Sequence, residues 1–257
     1  MRLSRREFLK LGGVALAACS LPFAACADEL RRVPVLAYGD VSHRFRDELT
    51  IPPPLLAAQL EWLYTSGHRA GSVGDLMAGK VPERGVVLTF DNGYASFMNV
   101  VFPLLRGYGF RATLNLSGDA VGSPAGIGPG RPLVSWEECR LLAASGLVEL
   151  GSCTFALHRR ASLRTVPAAE LEHDLALFQE TLQRETGQGA TVLAWPYGID
   201  DPLQRAVARA AGFSVVLTRG EGLPQRRDGI TEIPRQGISG RTSLAMFRSI
   251  IAGKGGA

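Results

Sequence analysis

From Val33 onward the chain alternates short β-branched runs with longer stretches whose apolar positions recur at helical spacing. The runs predict strands at Val33–Tyr38, Val86–Phe90, Ala112–Leu116, Val148–Ser152, Thr191–Trp195 and Phe213–Leu217, with a weaker one at Thr231–Pro234. Most are apolar throughout, the pattern of strands covered on both faces. Between them the periodicity predicts helices at Pro54–Ser66, Ser96–Gly107, Ser135–Ser145, Ala168–Thr186, Pro202–Ala211 and Ser243–Ala252. Ser135 with Glu138 three residues on forms a capping box. Gly67, Gly107, Gly146, Gly187 and Gly212 stand where helices should stop.

Repeated βα units imply an α/β fold with a parallel sheet, open or closed into a barrel. The 257 residues suit such a barrel as a single domain. The stretch Gly122–Pro132, with four Gly and three Pro, is expected to be a surface loop.

Charge narrows the partners. The net charge is +4, but residues 1–27 hold Arg2, Arg5, Arg6 and Lys10 against Glu7, which leaves +1 for residues 28–257. A domain this close to neutral lacks the basic footprint of a nucleic-acid binder.

The first residues have a separate logic. Ser4-Arg5-Arg6-Glu7-Phe8-Leu9-Lys10 resembles the twin-arginine export motif, and an Ala- and Leu-rich run follows, broken by Gly12, Gly13 and Pro22. That run is too short and interrupted for a spanning helix, and 1–27 is expected to be a signal peptide. Leu16-Ala17-Ala18-Cys19 fits a lipobox and Phe23-Ala24-Ala25-Cys26 a poorer one, so Cys19 or Cys26 would carry a membrane-attaching lipid. Ala25-Cys26-Ala27 instead suits ordinary signal peptidase, with Asp28 as the mature start. Each alternative places residues 28–257 in the periplasm or on the outer face of the cytoplasmic membrane. Nothing in the sequence sets an oligomeric state. Cys139 and Cys153 remain, as a disulfide pair or as free thiols, with Cys139 on the apolar side of its helix.

In a (β/α) barrel, chemistry gathers at the C-terminal ends of the strands. Here those ends carry Tyr38-Gly39-Asp40, Asp91-Asn92-Gly93, Cys153 with His158 five residues on, and Trp195-Pro196-Tyr197-Gly198. Singly, each has a plainer role: a turn and cap at Asp91-Asn92-Gly93, a packed thiol at Cys153, a solvated imidazole at His158. Jointly they assemble acid, amide, thiol and imidazole on one rim, as a metal-assisted hydrolase needs. His43, His68 and His173 fall in a polar loop, at a helix end and in a charged helix, and are expected at the surface.

In order and spacing these motifs resemble the polysaccharide deacetylases (carbohydrate esterase family 4, the NodB-homology domain). The branch acting on poly-β-1,6-N-acetylglucosamine in biofilm export is the most similar. The match is carried by Val35-Leu36-Ala37-Tyr38, Leu88-Thr89-Phe90-Asp91-Asn92-Gly93-Tyr94, Gly151-Ser152-Cys153-Thr154 with Leu157-His158, Trp195-Pro196-Tyr197-Gly198, and Ile233-Pro234-Arg235 before Ser243-Leu244.

The resemblance implies a distorted (β/α) barrel and a divalent metal, usually Zn²⁺, that polarises an acetamide carbonyl and activates a water. It assigns Asp91 as catalytic base, His158 as a metal ligand and the Tyr197 backbone N–H as oxyanion donor. Tyr38, Trp195 and Pro196 would face a polysaccharide substrate. Asn92 stands where the family has a ligating Asp, Cys153 where it has the first ligating His, and Gly39 where this branch has the histidine acting as acid. An Asn92, Cys153 thiolate and His158 set would keep the net charge of the family's Zn²⁺ site, although the Zn–S bond is about 0.3 Å longer than Zn–N. General acid assistance, typically worth ~10²–10⁴ in rate, has no evident donor at Gly39. Two functions follow from the resemblance: N-deacetylation of an N-acetylglucosamine polysaccharide, or an inactive relative that binds glycan or an export partner.

Overall fold

In chain order the strands are β1 (Val35–Tyr38), β2 (Asp40–Val41), β3 (Thr50–Ile51), β4 (Arg69–Gly71), β5 (Gly85–Phe90), β6 (Ala112–Leu116), β7 (Val148–Ser152), β8 (Val192–Ala194), β9 (Val215–Arg219), β10 (Gln225–Arg227) and β11 (Ile230–Gly237). The helices are α1 (Pro53–Thr65), α2 (Val73–Met77), α3 (Phe102–Tyr108), α4 (Trp136–Ala144), α5 (Ala168–Thr186), α6 (Pro202–Ala210) and α7 (Leu244–Ile251). They come from a computed structural model that describes residues 33–127, 130–159, 163, 165–196, 201–220 and 222–253. The expected leader, with Arg5, Arg6, Cys19 and Cys26, lies outside the described residues.

Strands β1, β11, β9, β8, β7, β6 and β5 pair side by side in parallel, and β5 pairs back onto β1. The sheet therefore closes into a barrel, which decides between the open and closed arrangements that the βα alternation and apolar strands leave possible. Closure splits the apolar strand residues between two cores. Val86, Leu88 and Phe90 of β5 pack outward against helices, in one cluster with Leu56, Leu60 and Leu63 of α1. Val87, with Val35, Val192, Val215 and Ile233, belongs to a second cluster, built from the alternate strand positions, that fills the lumen. Burying each such side chain contributes roughly 1.5–3 kcal/mol before entropy is counted.

Several boundaries differ from the sequence expectation. The predicted helix from Ser96 is two pieces: a π-helical turn at Phe97–Val101, then α3. Pro103 has no N–H to offer and its ring crowds the preceding turn, so the ladder widens and Phe102 N–H reaches back to Phe97 O. Gly107 lies inside α3, not after it; the stop is Gly109, left-handed at φ 65°. At α4 the expected capping box is present, Ser135 Oγ accepting from Glu138 N at 3.2 Å and Ser135 N donating to Glu138 Oε2 at 2.7 Å. The three-residue β4 and the five-residue α2 are too short to show a period in the sequence, although Ser72 and Asp75 close a second capping box at α2. Cys139 and Cys153 are both free and buried.

Candidate active site

Asp91 follows β5 directly, its N–H held by Tyr38 O at 2.9 Å. Its carboxylate accepts two hydrogen bonds from Arg235 of β11, Nη1 to Oδ1 at 2.8 Å and Nη2 to Oδ2 at 2.9 Å. Asn115 Nδ2 of β6 adds a third at 2.8 Å. Arg235 also reaches Thr89 Oγ1 at 2.8 Å, and its side chain is only 1% exposed. Burial by itself would raise the Asp91 pKa, but the Arg235 charge and these hydrogen bonds outweigh it and hold the carboxyl below its ordinary value. Asp91 is therefore ionised at neutral pH and fixed in orientation. Gly151 of β7 leaves room for this arrangement, since a Cβ there would overlap Asn115 Oδ1.

Asn92 takes a left-handed backbone (φ 73°) and Gly93 continues it (φ 76°), which turns the chain sharply off the strand. The Asn92 amide donates to Tyr94 OH at 3.3 Å. A similar turn follows β7, where Cys153 N–H bonds Leu116 O at 2.7 Å and Thr154 is left-handed at φ 71°. That conformation is costly for a β-branched residue, roughly 1–3 kcal/mol, and it stands beside the cleft. Burial, then the nearby Asp91 charge, pushes the Cys153 thiol well above its ordinary pKa, so it is protonated.

The loop beyond is held from α5. The Asp174 carboxylate accepts backbone N–H groups from Phe155 (2.7 Å), Ala156 (2.8 Å) and Leu157 (3.1 Å). These bonds fix the 3₁₀ turn Leu157–Arg159, which presents His158. The imidazole is buried with neither nitrogen hydrogen-bonded; Asp119 Oδ1 lies 3.6 Å from Nε2. Burial lowers its pKa more than Asp119 raises it, and the ring is neutral.

Asp91, Asn92, Cys153, His158, Trp195 and Pro196 line one cleft of about 210 Å³. The structure thus brings together six of the sequence-predicted residues. Tyr197 lies outside the described residues. Tyr38 is a correction: it is 1% exposed, stacked on Phe90 at 4.9 Å, with its hydroxyl on Gln59 Oε1 at 3.0 Å. Although Tyr38 ends β1 at the active rim, its ring packs into the outer core and offers no face to a sugar. Gly39 also differs in kind from a simple loss of histidine. A Cβ there would overlap the Leu49 carbonyl oxygen, to which Asp40 N–H bonds at 2.7 Å. The 40–49 segment therefore occupies the space a side chain would need, and Leu49 itself lines the cleft.

Among the described residues no three His, Cys, Asp or Glu side chains come together as a metal site. With Asp91 committed to Arg235, the cleft offers the His158 imidazole, the Cys153 thiol and, as a weak third, the Asn92 amide oxygen. Imidazole and thiolate are zinc donors, and the buried, unsatisfied His158 nitrogens fit a cation in type.

Asn115, Asp174 and Arg219 had no place in the sequence reading, and Arg235 stood there only within the Ile233-Pro234-Arg235 match, with no role at Asp91. Asn115 was visible as a polar residue inside an apolar strand. Asp174 stands on the buried stripe of α5 with Leu171, Leu175 and Phe178, an anomaly for an acid.

Residues 78–216 match the polysaccharide deacetylase family model. The chain is similar to the poly-β-1,6-N-acetyl-D-glucosamine N-deacetylase of Escherichia coli K12, 29% identical over 248 residues, 80% of this chain and 37% of that protein. It thus spans well under half the length of that relative. Among solved structures it is similar to a de-N-acetylase from Aggregatibacter actinomycetemcomitans, at TM-score 0.73 and 25% identity, covering 85% of this chain and 99% of the other. IcaB from Ammonifex degensii shares the fold at TM-score 0.74 and 23% identity, covering 88% and 98%. The barrel is common to these proteins and the family model covers more than half of the sequence, so this chain belongs to the polysaccharide deacetylase family.

Proposed function

We propose that the protein removes N-acetyl groups from an N-acetylglucosamine-containing polysaccharide. What supports the reading is an ionised, clamped carboxylate and a buried imidazole with unsatisfied nitrogens in one cleft of a polysaccharide deacetylase barrel. Asp91 takes the proton of the attacking water, and Arg235 and Asn115 keep it oriented and ionised to do so. His158, Cys153 and Asn92 would hold a divalent metal, zinc by the donor types, which supplies Lewis acidity toward the acetamide carbonyl when bound. Trp195 and Pro196 wall the cleft against the sugar, and the Tyr197 N–H stabilises the developing oxyanion.

We further propose export through a twin-arginine leader at 1–27, with Cys19 or Cys26 as the point of any lipid attachment. The Arg5→Lys/Arg6→Lys precursor should then stay in the cytoplasm; undiminished export would overturn this part.

Acetate release from N-acetylglucosamine oligomers, with zinc content measured on the same preparation, tests the catalytic reading. Release by the wild type that is abolished in Asp91→Asn supports it; no release with any divalent metal overturns it. A second reading, glycan binding without hydrolysis, draws on the space taken by Leu49 at Gly39 and on the protonated Cys153 thiol. It predicts oligomer binding by a protein that releases no acetate.

A further inference from the structure

A second cavity, of about 350 Å³, opens on the same end of the barrel. It is lined by residues that follow β1 and β2, among them His43, Arg46 and Asp47, and by Gly240 and Arg241 after β11. The barrel order β9-β11-β1 places it beside the catalytic cleft, whose lining includes Arg219 at the end of β9. One segment joins the two, since Leu49 faces the cleft while Asp47 and Thr50 face the second cavity.

The charges of this rim are matched in a revealing way. Asp91 is held by Arg235, Asp119 by Arg159 at 3.1 Å, Glu48 by Arg241 at 3.1 Å, and Asp47 by Arg131, which also lies 3.8 Å from Asp40. Each rim carboxylate named here thus has a guanidinium. Arg219 and Arg46, both exposed and one in each cavity, make no ion-pair contact with a carboxylate among the described residues, although the Arg219 charge also acts on Asp91 across the cleft. An unpaired guanidinium inside a concave, partly apolar site is what a planar anionic ligand group would complete.

We propose that the two cavities form one binding groove for an anionic glycan, with Arg219 and Arg46 pairing with carboxylates on sugars flanking the N-acetylated residue. This rests on the glycan-processing reading above and narrows its substrate class: a polymer of N-acetylhexosamine with uronate or similar acidic units is preferred to a neutral one. Residues 28–257 carry only +1 overall, so the preference is local to the groove and is not a general attraction to polyanions.

Calorimetric titration with a hexasaccharide of alternating glucuronate and N-acetylglucosamine, against a neutral N-acetylglucosamine hexamer, tests it. At low salt the acidic hexamer should bind about tenfold more tightly, the scale of one charge-assisted hydrogen bond. Added salt should narrow the gap. In the Arg46→Gln/Arg219→Gln variant the two hexamers should bind alike, with the thermal midpoint unchanged because both side chains are exposed. Equal wild-type affinities, binding of neither hexamer, or a preference that survives in the double variant would each overturn the proposal. So would a fall in kcat in Arg219→Gln with the preference intact, because the residue would then serve the reaction and not the ligand's charge. Acetate release from the neutral hexamer, dependent on Asp91, reads the catalytic proposal separately.

Discussion

Arg235 and Asp91, separated by 144 positions in the chain, meet through two hydrogen bonds of 2.8 and 2.9 Å inside the C-terminal mouth of the barrel. The pair is largely buried, with Asn115 donating to Asp91 Oδ1 and Thr89 accepting from Arg235 Nη1, while Asp91 still lines the cleft. Removing one partner leaves a buried charge without compensation. Arg235→Met should therefore cost about 3–5 kcal/mol in denaturant unfolding, while Arg235→Met combined with Asp91→Leu should recover most of it. Equal losses in the single and double variants would show that the lumen, and not the charge, was disturbed.

The same pair sets a pH dependence. The Asp91 pKa is lower in the folded protein than in the unfolded chain, so between the two values the unfolded chain binds more protons. The stability contributed by the pair is fully present above the unfolded value, near 3.9 for an ordinary Asp. It is lost as pH falls through the folded value. Acid unfolding of wild type and of Asp91→Asn/Arg235→Gln, followed by circular dichroism, should give curves that converge at the acid end.

Asp174 serves as a positioning residue, since three N–H donors of the His158 loop end on its carboxylate. Asp174→Ala should cost roughly 1–3 kcal/mol per donor left buried without a partner. It should also free the 155–159 segment, read as faster amide hydrogen exchange there than in β7. Asp174→Asn keeps an acceptor and should sit between the two. Unchanged exchange in Asp174→Ala would remove its positioning role.

Burial pushes the Cys139 thiol up to about 12, from an ordinary value of 9.0, and Cys153 higher still. For Cys139 that is about a thousandfold smaller thiolate fraction near neutral pH. In native protein lacking residues 1–27, Cys139 and Cys153 should be nearly inert to a thiol reagent, and both should react promptly once the chain is unfolded. A disulfide between them would abolish the second observation.

Gly39 is where restoring the family's residue should fail. Gly39→Ala should destabilise by roughly 1–3 kcal/mol, because its Cβ meets the fixed Leu49 carbonyl. Asn92→Asp with Cys153→His should increase zinc uptake by the purified protein. Adding Gly39→His should lower the melting temperature without raising acetate release beyond the double variant.

The parallel βα fold was legible in the sequence because a sheet covered on both faces needs apolar strands, and that need is written in consecutive residues such as Val86–Phe90. Closure into a barrel was implied by the resemblance to the polysaccharide deacetylases and is decided by β5 pairing back onto β1. Asp91, Asn92, Cys153 and His158 were legible as well, because each follows a strand whose end is marked locally. Interactions between distant segments were not. Nothing near Asp91 in sequence announces that Arg235 clamps it, or that Asp174 holds the loop before His158. The burial of Tyr38 and the filling of the space at Gly39 by Leu49 depend on how β1 and the 40–49 segment pack, which no local pattern encodes. Strand and helix periods follow from neighbouring residues, whereas ion pairing and steric exclusion follow from which segments the closed sheet brings within a few ångströms.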